Sequence, residues 1–205
     1  MQSLKYFLPT FLLATASFEA CAQSDDKFFV EAYAGAISAD FGSDFANDFT
    51  LVGTRFGYNF TSILSIEADL STGTNTQSRS TGFVFPRDTV PAIVGVEKVD
   101  EQIESVFGVF GKATLPINDR FSGYARLGLA EIKTGMTRDS QSNSEIGTFR
   151  FENTYNEYNA ALGLGATFDI TDNIYARADF TRFGLKPDIF EPEFDSATIG
   201  AGFRF

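Results

Sequence analysis

Along most of this chain, apolar and polar residues alternate with period two, the spacing that gives a β-strand one apolar face. In residues 28–36 one face carries Phe28, Val30, Ala32, Ala34 and Ala36, and the other Phe29, Glu31, Tyr33 and Gly35. Residues 50–60 set Thr50, Val52, Thr54, Phe56, Tyr58 and Phe60 against Leu51, Gly53, Arg55, Gly57 and Asn59. Leu64, Ile66, Ala68 and Leu70 then oppose Ser65, Glu67, Asp69 and Ser71, so these two strands predict a hairpin across Thr61-Ser62. Residues 103–115 place Ile103, Phe107, Val109, Ala113 and Leu115 opposite Glu104, Gly108, Phe110 and Lys112. The same alternation recurs in residues 121–130, 158–168, 174–180 and 197–205. In each of these segments one face is almost wholly apolar, while the charges collect on the other.

About eight strands of roughly ten residues result, the length at which a tilted strand crosses a bilayer. Three connections are short, at Thr61-Ser62 and over residues 116–120 and 169–173; four are long, over residues 38–48, 75–102, 134–156 and 184–195. Short turns on one rim and long loops on the other describe an outer-membrane barrel with short periplasmic turns and longer extracellular loops. The expected fold is therefore all-β, an eight-stranded antiparallel transmembrane β-barrel. No stretch approaches 18 uninterrupted apolar residues, so no helix is expected to span a membrane.

The first residues read differently. Lys5 precedes an apolar run over residues 6–16, and Ala20-Cys21-Ala22 offers small residues where a signal peptidase cleaves, which predicts a signal peptide over 1–22 and a barrel domain over 23–205. The run is too short for a membrane anchor. Glu19 makes Phe18-Glu19-Ala20-Cys21 a poor lipoprotein signal, so Cys21 is expected to leave with the leader. The mature chain would then hold neither a disulfide nor a thiolate metal site.

The chain carries 16 basic against 27 acidic residues and a net charge of −11, which argues against a nucleic-acid partner. It has no histidine, which removes the commonest general base and the commonest metal ligand together. No catalytic, cofactor or metal site is expected. Outer-membrane phospholipases, lipid A deacylases and omptin-type proteases are similar in architecture, yet they use histidine.

Chemistry therefore has to be sought on the mixed faces, whose charges are Glu31, Glu67, Asp69, Glu104 and Asp179 against Arg55, Lys112, Arg126, Arg177 and Arg204. An arginine facing lipid would cost ~2–4 kcal/mol at the midplane, so all ten are expected to point inward. A barrel of about eight strands has an interior just wide enough for side chains. The two lists thus predict a salt-bridge network filling the lumen, with a gated polar path as the alternative and a carboxylate pair drawn from Glu67, Asp69 and Glu104 as a weaker one. Among the loops, residues 38–48 interleave Asp40, Asp44 and Asp48 with Phe41, Phe45 and Phe49, which reads as a solvated acidic loop, since the spacing is not that of a calcium loop. In residues 75–102, Phe83-Val84-Phe85-Pro86 and Ile93-Val94-Gly95-Val96 predict either a protruding β-ribbon that adds strands to a partner or barrel strands continuing past the membrane.

The terminal alternation Ala197-Thr198-Ile199-Gly200-Ala201-Gly202-Phe203-Arg204-Phe205 resembles the closing strand of outer-membrane proteins. Residues 111–119 and Tyr124-Ala125-Arg126-Leu127-Gly128 extend the likeness, and the whole mature chain resembles the OmpA/OmpX-type small barrel family. The resemblance implies residence in the outer membrane among lipid and lipopolysaccharide. It also implies recognition of Ile199, Ala201, Phe203 and Phe205 by the barrel assembly machinery. The peptidoglycan-binding domain of the longer family members has no counterpart in the sequence, so a cell-wall tether is not implied. A structural or surface-interaction role is the expected function, through envelope integrity, adhesion or an extracellular partner, with a narrow channel as the alternative.

Overall fold

Each of the three short connections is built around one side-chain oxygen. Thr61 Oγ1 accepts from the backbone N–H groups of Ile63 and Leu64, Asn118 Oδ1 from those of Arg120 and Phe121, and Thr171 Oγ1 from that of Ile174. Such side chains mimic a backbone turn and fix the hairpin register locally. These turns sit in a computed structural model that describes residues 27–40, 46–85, 93–142, 148–184 and 193–205. The described secondary structure is entirely strand: β1 (Phe28–Asp40), β2 (Ala46–Asn59), β3 (Leu64–Gly73), β4 (Thr76–Phe85), β5 (Ile93–Pro116), β6 (Phe121–Ser142), β7 (Thr148–Asp169), β8 (Ile174–Phe183) and β9 (Glu193–Arg204).

All pairings are antiparallel, in the order β3-β2-β1-β9-β8-β7-β6-β5-β4, and a further β3–β5 pairing closes the ring. β3 and β4 are two lengths of one stave, since β3 pairs with β5 from Leu64↔Ala113 to Ser71↔Val106 and β4 takes over from Thr76↔Gln102 to Phe85↔Ile93. The barrel thus has eight staves, as the alternation implies. Outward positions form the apolar band, with Val30, Phe56, Leu70, Val109, Leu129, Leu164 and Ile199 among them.

Two readings from the sequence need correction. Residues 134–156, expected as a loop, are mostly strand: β6 pairs with β7 from Lys133↔Asn156 up to Gln141↔Thr148. With the β4–β5 pairing in residues 75–102, expected as a protruding ribbon or as continuing strands, they make a four-stranded sheet that rises from one side of the barrel. Residues 83–85 and 93–95 belong to its β4–β5 ribbon, while Pro86 lies outside the described residues. Secondly, a bulge shifts the β5–β6 register between Ile103 and Ser105. One extra residue reverses the faces above it. Ile103 therefore turns into the lumen and Glu104 out of it.

Candidate functional site

The lumen is filled in layers. In the middle layer Arg55, entirely buried, reaches four carboxylates: Glu31 and Asp69 at 2.6 Å, Asp179 at 3.5 Å and Glu67 at 4.0 Å. Glu67 is in turn ringed by cations. Both of its oxygens accept from Arg177, at 2.8 and 2.9 Å, and Lys112 and Arg126 stand at 3.2 and 3.5 Å. Arg126 also bonds Asp69 at 2.6 Å, Asp179 at 2.9 Å and the Thr181 hydroxyl at 2.6 Å. Arg177 Nε donates to the Tyr124 hydroxyl at 2.6 Å, and the Tyr175 hydroxyl donates to Glu31 at 3.3 Å. Neighbouring side chains are sized for this packing. A Cβ on Gly163 would stand 2.7 Å from Arg126 Nε and 2.8 Å from Thr181 Oγ1, so only glycine leaves room for the guanidinium there.

Eight of the ten charges named from the sequence therefore meet in one network: Glu31, Arg55, Glu67, Asp69, Lys112, Arg126, Arg177 and Asp179. Two do not join it. Glu104 faces outward and pairs with Lys133 at 2.9 Å, both partly exposed. Arg204 lies at the short-turn rim, 2.7 Å from Asp169 and stacked 4.5 Å over the Tyr175 ring. Glu67 and Asp69 share no site with Glu104, and both accept hydrogen bonds from arginine.

Between this network and the short-turn rim lies a vestibule of about 430 Å³, lined by Lys27, Phe29, Asn59, Lys112, Tyr175 and Arg204 among others. On the opposite side the lumen becomes apolar. Ile37, Phe49, Leu51, Ile103, Phe110, Ile132, Phe183 and Phe194 belong to one cluster of buried residues. The two layers meet through the Phe110 ring, whose face lies 4.3 Å from the Arg126 guanidinium, and only a void of about 20 Å³ remains at the seam. Sequence reasoning missed this septum. Its signal was present, since Leu51 and Phe110 lie on the inward faces with Arg55 and Lys112.

Phe49, expected in an acidic loop, is thus a lumen residue. Of the loop's acids, Asp48 accepts from the Ser38 hydroxyl and the backbone of Asp40 pairs with Ala46, while Asp44 lies outside the described residues, as do Phe41 and Phe45. Above the septum the Glu101 carboxylate, also buried, accepts from Asn47 and Arg79, each at 2.6 Å. Higher still, the sheet presents Phe149, Phe151 and Tyr155 to solvent on its axis-facing side, with the Arg138–Glu97 pair at 3.0 Å. On the other side Asp100 is held below the ordinary carboxylate range by hydrogen bonds from Lys98 and Ser78.

A family model described as the outer membrane protein beta-barrel domain matches residues 8–205. The chain belongs to that family. Its place is the cell outer membrane. Among solved structures, it is similar to the N-terminal β-barrel domain of OprF from Pseudomonas aeruginosa, at 17% identity and a TM-score of 0.53, over 89% of this chain and 100% of that one. Neisserial surface protein A aligns at 12% identity and a TM-score of 0.55, over 87% and 97%. Ail, the attachment invasion locus protein of Yersinia pestis, aligns at 16% and 0.50, over 87% and 97%; a second Ail structure holds the heparin analogue sucrose octasulfate. At these identities the likeness concerns the fold. None of the curated proteins compared matches this chain.

Proposed function

We propose that this outer-membrane barrel is a non-enzymatic surface-interaction protein with a closed lumen, whose extracellular sheet makes the contacts. The observation that carries this is the double closure of the tube. Ions entering the vestibule meet a layer in which each cation is held by carboxylates, and behind it a cluster of buried apolar side chains. The surface role rests on the sheet of β4–β7, where exposed aromatic residues stand above the membrane. An attachment protein among the structural neighbours is consistent with that role.

Planar-bilayer recording tests the closure. The purified protein is expected to give no steady current, and sustained openings in the unmodified protein would overturn the proposal in favour of transport. The vestibule is what favours that second reading, because it brings solvent as far as Lys112. Substituting Phe49 and Leu51 together by serine would then raise conductance, whereas a closed charge layer keeps it at baseline.

The family and the sequence support the remaining partners and the leader. Residues 1–22 serve as the secretory signal, and Ile199, Ala201, Phe203 and Phe205 form the strand presented to the barrel assembly machinery. Outer-membrane lipid and lipopolysaccharide surround the apolar band. Pulse-chase labelling tests both assignments: Phe205→Ser slows insertion, and a changed Ala20-Cys21-Ala22 leaves the leader uncleaved.

A further inference from the structure

Beneath the charge layer the barrel keeps a space that neither the ion network nor the septum fills. This vestibule measures about 430 Å³, within the ~300–1,000 Å³ usual for ligand pockets. Lys112 of β5 stands at its floor and Arg204 of β9 in its wall. One aromatic pair positions both cations. The Phe29 and Tyr175 rings meet edge to face at 6.4 Å and 78°; Lys112 Nζ lies 4.6 Å from the Phe29 centroid, and the Arg204 guanidinium 4.5 Å from that of Tyr175. Glycine makes room for each ring: a Cβ at Gly57 would stand 2.0 Å from Phe29, and one at Gly202 2.3 Å from Tyr175. Both rings are buried, so the two cations face the cavity from a rigid base.

Donors outnumber acceptors in this space. Lys112 has three N–H donors; one carboxylate oxygen, Glu67 Oε2 at 3.2 Å, answers them, and the Phe29 and Tyr124 rings beside it offer only their faces. Arg204 has five. Its carboxylate contact among the described residues, Asp169 Oδ1 at 2.7 Å, is an ion pair without an aligned hydrogen bond, so most of its N–H groups are left to other acceptors. Asp169 is also the one acid among the described residues lining the vestibule, against three cations. The layer above matches each cation with carboxylates, and the vestibule does not. Thr114, Ser122 and Thr167 add hydroxyls to the wall, which both donate and accept. We propose that the vestibule binds a small hydroxylated oxyanion from the periplasmic side, a sugar phosphate or a sugar acid. Its anionic group is drawn to Lys112 and Arg204, and its hydroxyls exchange hydrogen bonds with the threonine and serine side chains. A cup closed at its floor holds such a ligand instead of conducting it, and in that respect the inference rests on the closed-lumen reading.

The test is calorimetric titration of protein extracted from outer membranes into detergent micelles, with glucose 6-phosphate, glucuronate, inorganic phosphate and glucose as probes. At ~0.05 M salt at least one of the two charged sugars is expected to bind, more tightly than inorganic phosphate, and the binding weakens toward ~0.5 M. Whichever charged sugar binds better identifies phosphate or carboxylate as the group recognised. Glucose, which lacks the charge, is not expected to bind. Arg204→Gln, outside the buried network, is expected to weaken binding about tenfold. Lys112→Gln should weaken it as well; because Lys112 also faces Glu67, Arg204→Gln decides the matter should that variant fail to fold. Glu104→Gln, on the outer surface of the barrel, leaves binding unchanged. Retained heat-modifiable migration on a detergent gel shows that each variant is folded. No binding of either charged sugar, equal binding of glucose, affinity no better than that of inorganic phosphate, or affinity unmoved by Arg204→Gln would overturn the inference. A steady current through the barrel with binding intact would count against the closed lumen alone, whereas a silent barrel that binds neither charged sugar would count against this inference alone.

Discussion

The two halves of the lumen fill the same width of barrel by opposite chemistry. Around Arg55 most inward side chains are charged and each charge needs a specific partner; around Phe49 and Ile132 they are mostly apolar, and the apolar ones need only volume. Apolar packing is nondirectional and tolerates exchange of shapes, whereas a buried ion network fails when one member is lost. The charged layer therefore fixes which strand stands beside which. Arg55 on β2 reaches Glu31 on β1, Asp69 on β3 and Asp179 on β8, while Arg126 on β6 shares Asp69 and Asp179. It clasps staves that are not neighbours in the ring. The septum adds dry closure, which the charged layer alone does not provide.

The sharpest way to break this contrast is Arg55→Met. It removes the one side chain common to all four carboxylates and leaves them partly uncompensated, which is expected to cost about 3–5 kcal/mol in urea unfolding from micelles. Replacing Arg55 and Glu31 together by Met and Leu should recover part of that loss, because two charges leave as a pair. Failure to recover any would show that Glu31 is not held chiefly by Arg55. Phe49→Ala in the septum is expected to cost about 3 kcal/mol through the void it leaves, and Phe49→Leu about 1 kcal/mol. A septum as unforgiving of Phe49→Leu as the network is of Arg55→Met would erase the distinction between the layers. Gly163→Leu, which drives a side chain into the Arg126 guanidinium, should act like a network substitution, although no charge changes.

How much of this was legible in the sequence depended on what each region faces. The barrel staves were readable because lipid demands an unbroken apolar face, and residues 64–70 or 121–129 supply one. The eight network charges were readable for the same reason, since no other face would take them. The upper lengths of β6 and β7 were read as a loop, and β4 and the upper length of β5 were left between a ribbon and continuing strands, because both faces of these lengths meet water and segments such as Thr76-Gln77-Ser78-Arg79-Ser80 show no hydrophobic alternation. The septum was hidden by attention to charge: Leu51 was placed inward, but nothing in one strand's alternation reveals that its neighbours across the lumen are apolar as well. Arg204 stood on the inward face, yet alternation says nothing of height along the barrel.

Glu104 marks the limit of reasoning by alternation, and it supplies the smallest expected effect. Period two carries a face assignment indefinitely until one residue is inserted, and the bulge between Ile103 and Ser105 is such an insertion. Its location has a physical basis. Just below it the stave must present Phe107 to lipid, and just above it Ile103 and Glu101 must enter the lumen, so the outward surface changes from apolar to charged within a few residues. The Thr72 hydroxyl, donating to the Glu104 carbonyl at 2.8 Å, ties the bulged strand to β3. The Glu104–Lys133 pair is half-exposed, and such pairs contribute about 0–1 kcal/mol. Glu104→Gln should therefore lower stability by less than 1 kcal/mol and leave conductance unchanged, whereas a lumen carboxylate such as Glu67→Gln should destabilise by several times as much. Comparable losses for the two would mean that Glu104 belongs with the inward charges after all and that the bulge does not turn it outward.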